Sequence, residues 1–104
     1  MPMAYEVILH GDKGVSWFEV RPPLSVSDLQ IISDDPKTSG LQYSLDDSEQ
    51  DATVFEREAA SFGSAYDAFR EVERQADLMA TVLRRAGVVC TIVNQSIYFE
   101  RRRL

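Results

Sequence analysis

Between residues 66 and 86, eight small or apolar side chains fall along one helical stripe, most of them three or four apart: Tyr66, Phe69, Val72, Ala76, Met79, Ala80, Leu83 and Ala86. That spacing predicts one long amphipathic helix from about Ser64 to Ala86. Its ends are marked. Ser61 or Ser64 offers a side-chain cap, and Asp67 puts an acid in the first turn, where the helix dipole favours it. Arg84 and Arg85 sit in the last turn, and Gly87 is the expected left-handed stop. At 1.5 Å per residue such a helix runs roughly 34 Å, long enough to cross a sheet. Its outward positions, Asp67, Arg70, Glu71, Arg74, Asp77 and Arg84, are all charged. A helix with a single apolar stripe must bury it against another layer.

The strands that could supply that layer lie on both sides of the helix. Tyr5 to His10 alternates, and Gly11-Asp12-Lys13-Gly14 has the composition of a hairpin turn. Val15 to Arg21 returns, rich in β-formers, until Pro22-Pro23 ends it. Ser25 to Ile32 fits either a short helix capped by Ser25-Val26-Ser27-Asp28 or an irregular edge segment. Leu41 to Leu45 and Ala52 to Arg57 read as two short strands around an acidic turn. Val88 to Val93, apolar on both faces, reads as a central strand. Asn94-Gln95 is a turn, and Ser96 to Arg101 returns as a last strand. The expected fold is a single α+β domain: a mostly antiparallel sheet of four to six strands with one long helix, about 64–86, packed on one face. An acidic, partly loop-like insert occupies about 34–58.

Charge is concentrated in that insert. It holds eight acids (Asp34, Asp35, Asp46, Asp47, Glu49, Asp51, Glu56 and Glu58) against Lys37 and Arg57, a net −6 that equals the formal charge of the whole 104-residue chain. Clustered carboxylates attract basic partners and repel nucleic acid. The carboxyl end is the opposite. Arg84, Arg85, Arg101, Arg102 and Arg103 face only Glu100 among acids there. Guanidinium forks match phosphate and carboxylate, but the overall acidity and the two lysines argue against direct nucleic-acid binding. These arginines are expected to answer the chain's own acids, within one chain or across a homodimer.

Catalytic and metal readings find little support. Asp47, Glu49, Asp51 and Glu58 take the first, third, fifth and twelfth places of an EF-hand loop, but Ala52 stands where the sharp turn wants glycine. Gly11 to Ser16 lacks the lysine and serine spacing of a phosphate loop, and no helix follows it. His10 is the single histidine, and Cys90, the single cysteine, lies in an apolar run. Such a cysteine reads as a small buried hydrophobe rather than a nucleophile, and pairing with His10 has no support from spacing. No enzyme activity, metal or cofactor is expected. No basic leader precedes an apolar stretch, and no run approaches the roughly 20 apolar residues of a membrane span. A soluble cytoplasmic protein is therefore expected.

Trp17 shares its strand face with Val15, Glu19 and Arg21. Its size argues for the core, which is the expectation here. An exposed Trp17 would instead be an interface anchor. The functional expectation is a non-enzymatic protein-binding module whose acidic surface, with Trp17, docks on a basic partner. A phage-type inhibitor that mimics nucleic acid in a basic groove, as anti-CRISPR proteins do, is one form of it. The alternative is a small acidic accessory protein, chaperone or regulatory subunit whose acidity serves only solubility.

Overall fold

The computed structural model describes residues 4–43 and 52–101. In chain order the elements are strand β1 (Ala4–Gly11), strand β2 (Val15–Arg21), helix α1 (Val26–Asp34), strand β3 (Thr53–Glu58), helix α2 (Ala65–Arg85) and strand β4 (Val89–Asn94). A single 3₁₀ turn, Ala59–Ser61, leads from β3 towards α2. The four strands form one sheet in the order β3-β2-β1-β4. β2 runs antiparallel to β1 and β3, whereas β4 runs parallel to β1. The fold is α+β, with a mixed sheet and both helices on one face.

Helix α2 begins and ends where local chemistry dictates. The Ser64 side chain accepts a hydrogen bond from the Asp67 N–H at 3.0 Å. Ser61 belongs to the preceding 3₁₀ turn. At the far end the Gly87 N–H donates to Arg84 O and the Val88 N–H to Leu83 O, both at 3.0 Å. Those paired bonds define a Schellman stop, which needs a left-handed residue, and Gly87 has φ +86°. Phe69, Val72, Ala76, Met79, Ala80 and Leu83 are buried against the sheet. Tyr66 turns outward, 47% exposed, and the Arg70 guanidinium lies 4.7 Å above its ring.

Three expectations for the strands are corrected. Val88 to Val93 is not central: β4 is an edge strand, and Val89 is 52% exposed. The helix α2 carries the chain across the whole sheet, a crossover that parallel strands require, and delivers β4 to the outer side of β1. Ser96 to Arg101 does not return as a strand. The Asn94 side chain accepts from the Ser96 N–H and donates to Phe99 O, both at 3.0 Å, and Ser96 Oγ accepts from the Phe99 N–H at 3.0 Å. These local bonds divert the backbone from a ladder. The segment turns onto α2, where Phe99 stacks on Phe69 with centroids 4.9 Å apart.

Leu41 to Tyr43 forms no strand either. The backbone from Asp35 to Leu41 is taken up by turns: Thr38 and Ser39 donate to Asp35 O, and Leu41 donates to Thr38 O. Buried Thr38 donates its hydroxyl to Ile32 O at 2.7 Å, which closes the end of α1. Residues 44–45 of that expected strand lie outside the described residues.

Helix α1 resolves the ambiguity at Ser25 to Ile32. Ser25 caps it through a bond from the Asp28 N–H at 3.2 Å. It is fastened to the sheet by Tyr5, whose hydroxyl donates to the Asp28 carboxylate and accepts from the Ser25 N–H at 3.1 Å. Tyr5 and Asp28 are both buried. Burial, helped by the bond to Asp28, holds the Tyr5 hydroxyl above the ordinary value of 10.0. Tyr5→Phe is expected to lower stability by about 1–3 kcal/mol, because it leaves a buried carboxylate short of a donor. The sign of the pH effect follows from the raised value. Stability from the neutral phenol is complete below pH 10.0 and is lost as pH rises through the higher folded-state value. Urea midpoints taken across that range check both points; an unchanged midpoint in Tyr5→Phe would remove this fastening from the account.

Candidate functional site on the open sheet face

Strand alternation sends every second side chain to the face opposite the helices. The register places them together. His10 pairs with Trp17, Ile8 with Glu19 and Glu6 with Arg21 across β1 and β2. Trp17 pairs with Glu56, Glu19 with Val54 and Val15 with Glu58 across β2 and β3. β4 adds Thr91 beside Glu6 and Val93 beside Ile8. No described element covers this face. Trp17 is half-buried within it, not in the core as expected, because the core side of β2 is filled by Phe18 and Val20.

Trp17 is held in place by a charged chain of contacts. Its ring stacks on His10 with centroids 4.7 Å apart and planes 14° from parallel. His10 Nε2 lies 2.6 Å from Glu19 Oε1, and Arg21 Nε donates to Glu19 Oε2 at 3.0 Å. Glu19 is only 8% exposed, so its two oxygens serve this cluster rather than a ligand. An aromatic ring fixed before binding loses little freedom when a partner covers it. Glu6, Glu56 and Glu58 remain exposed around it. The face therefore carries four carboxylates against one guanidinium, with an aromatic surface that attracts cations.

The structure brings Trp17, Glu56 and Glu58 together and separates them from Asp34 and Asp35. Asp34 Oδ1 accepts from Gln30 Nε2 at 2.8 Å, and Asp35 Oδ1 accepts from the Lys37 N–H at 2.8 Å. Both line a shallow groove with Ile31, Val82 and Arg85, between the two helices. Asp46, Asp47, Glu49 and Asp51 lie outside the described residues. Among the described residues, no group of His, Cys, Asp and Glu is arranged to hold a metal.

The arginines are partly spent inside the chain. Arg84 donates to Cys90 O from Nε at 3.2 Å and from Nη2 at 2.7 Å. Arg101 Nη2 donates to Asp77 Oδ1 at 2.8 Å, and its Nε lies 3.7 Å from Glu73 Oε2. Their partners are α2 and β4, not the acidic insert. Arg85, at the end of α2, shares a groove with the insert acids Asp34 and Asp35. Arg102 and Arg103 lie outside the described residues.

Cys90 and His10 stand on opposite faces of the sheet. Cys90 pairs with Tyr5 on the helix side, and burial raises its thiol above the ordinary value. No thiol–imidazole pair forms. Sequence reading missed the His10, Glu19 and Arg21 cluster, although a tight turn at Lys13-Gly14 sets His10 opposite Trp17 by counting outward. No described helix is long and apolar enough to cross a membrane. Comparison of the chain with family models, with curated proteins and with solved structures finds no match.

Proposed function

We propose that this protein is a non-enzymatic binding module whose acidic sheet face docks on a basic partner protein. The observation that carries the reading is Trp17, fixed against His10 and set beside Glu56 on an uncovered face. A rigid aromatic anchor ringed by carboxylates suits a surface rich in lysine and arginine. Basic grooves commonly exist to hold nucleic acid. Occupation of such a groove, in the manner of nucleic-acid mimics and anti-CRISPR proteins, is the specific form proposed. A cytoplasmic setting accompanies it, consistent with a single buried thiol.

A second reading is a small accessory or regulatory protein whose acidity serves solubility. Its support is the wide separation of Asp34 and Asp35 from the open face. Self-association through the open face is less suited to the geometry. A two-fold interface would bring two copies of the same acid-rich surface together.

Affinity purification from a native lysate at low and at high salt tests the reading. The wild-type protein is expected to retain a basic partner at low salt and release it at high salt. Glu56→Lys with Glu58→Lys is expected to weaken capture about tenfold or more, since close interfacial charge pairs couple by over 1 kcal/mol. Retention by the double variant equal to wild type would reject docking through this face.

A further inference from the structure

The two edges of the sheet differ. β3 closes one side with Glu56, Arg57 and Glu58, and charges of that kind keep foreign strands off an edge. β4 closes the other with Val89-Cys90-Thr91-Ile92-Val93-Asn94, which has neither charge nor proline. The Gln95 N–H donates to Leu9 O, so Val89, Thr91 and Val93 also turn their amides and carbonyls towards β1. Cys90, Ile92 and Asn94 turn theirs outward. Arg84 occupies the Cys90 carbonyl through two bonds. Among the described residues, nothing takes the N–H and C=O of Ile92 and Asn94. Apolar exposure gathers at the same edge. Val89, at the start of β4, is 52% exposed, and Ile97 and Tyr98, just beyond its end, are 85% and 51% exposed.

We infer that a second copy of this chain pairs with β4, antiparallel and about a two-fold axis at Val93. Arg84 selects the register. Pairing about Ile92 would set Asn94 of the second copy on the Cys90 carbonyl, where Arg84 already sits. Pairing about Val93 sets Ile92 opposite Asn94 and Asn94 opposite Ile92. That fills all four open groups on each copy and leaves Arg84 in place. Val93 then faces its own copy, and no like charges meet. The same register brings the Val89 end of each β4 towards the Ile97–Tyr98 end of the other. Both halves of the seam are thus supplied by one surface, which suits a second copy better than an unrelated strand. The result is one sheet of eight strands, four from each copy, with the helices on one side and both acidic faces side by side on the other. The two β2 strands, each bearing Trp17, are then about 24 Å apart. The inference does not rest on the basic-partner reading.

Sedimentation of the full chain from micromolar to near-millimolar concentration is the first test. A mass of two chains is expected at the upper end and of one chain at the lower. Val93→Lys and Val93→Glu each oppose like charges at the axis and are expected to weaken self-association about tenfold or more. An equal mixture of the two opposes lysine to glutamate and is expected to restore the mass of two chains. Circular dichroism shows whether each variant is folded. Amide exchange of the wild type needs no variant. Ile92 and Asn94 are expected to gain protection as concentration rises, whereas Thr91 and Val93, already bonded to β1, are protected throughout.

A mass of one chain at every concentration would overturn the inference. So would self-association of Val93→Lys equal to wild type, or a mixture of folded variants that stays single. Protection of the Ile92 and Asn94 amides only after an alternating lysine–valine peptide is added would overturn self-pairing and assign the edge to a partner's strand. Glu56→Lys with Glu58→Lys alters the other edge and is expected to leave the mass of two chains unchanged, which separates this inference from docking of a basic partner.

Discussion

Phe69→Ala is expected to lower stability by about 3–5 kcal/mol, near the top of the range for a core aromatic. Phe69 is fully buried on α2 and stacks on Phe99 at 4.9 Å. It thus joins three layers: the helix, the sheet below it and the segment after β4 that folds back. Truncation removes the transfer energy of the ring and leaves a cavity between helix and sheet. Small domains have about 5–15 kcal/mol in total, so the variant should be partly unfolded at 37 °C. Urea unfolding followed by circular dichroism gives the number. A loss under about 1 kcal/mol would show that the Phe69–Phe99 stack is not part of the core.

Gly11→Val is expected to lower stability by about 3 kcal/mol, the upper end for overpacking. The reason is space, not backbone conformation, since Gly11 does not have a positive φ. A Cβ there would lie 2.7 Å from Phe99 Cδ2, 2.7 Å from Ser96 Oγ and 2.9 Å from Phe69 Cδ1. A branched side chain must displace Phe99 from Phe69, and the folded-back segment with it. Gly14→Ala is the control in the same turn. Nothing lies within 4 Å of its added Cβ, so its midpoint should change by about 0.5 kcal/mol or less. Equal effects at the two glycines would attribute both to the hairpin turn and not to the contact with Phe99.

The contrast between those glycines shows what sequence could and could not convey. Gly11 and Gly14 look alike in a turn motif; only the docking of Phe99, determined by residues more than eighty positions away, separates them. Helix α2 was legible to within a residue because Ser64 and Gly87 act on backbone groups three or four residues off. Strand β4 was legible as a strand but not as an edge. Its two apolar faces read as a sign of burial, whereas one of them, with Val89 and Val93, belongs to the open face. The acidic insert was legible as charge along the chain. Charge in space follows the pleat, which sends Glu56 and Glu58 to the open face, and the end of α1, which takes Asp34 and Asp35 to the other side.

The parallel pairing of β1 with β4 has a consequence for the order of assembly. The β1–β2 hairpin closes a loop of a few residues and needs nothing downstream. The second edge of β1 is filled only by residues 89–94. Until that stretch has been synthesised and carried across by α2, β1 offers an unpaired row of amides and carbonyls beside Val7 and Leu9. Such a row is a template for strands of other chains. Closing a loop of this length adds only a few kcal/mol over a short one, since the entropy grows with the logarithm of length, but it slows folding. A truncated chain ending before Val89 is therefore expected to aggregate more readily than the full one. Arg84, which occupies the outward Cys90 carbonyl, then shields the Cys90 end of the new edge once β4 is in place.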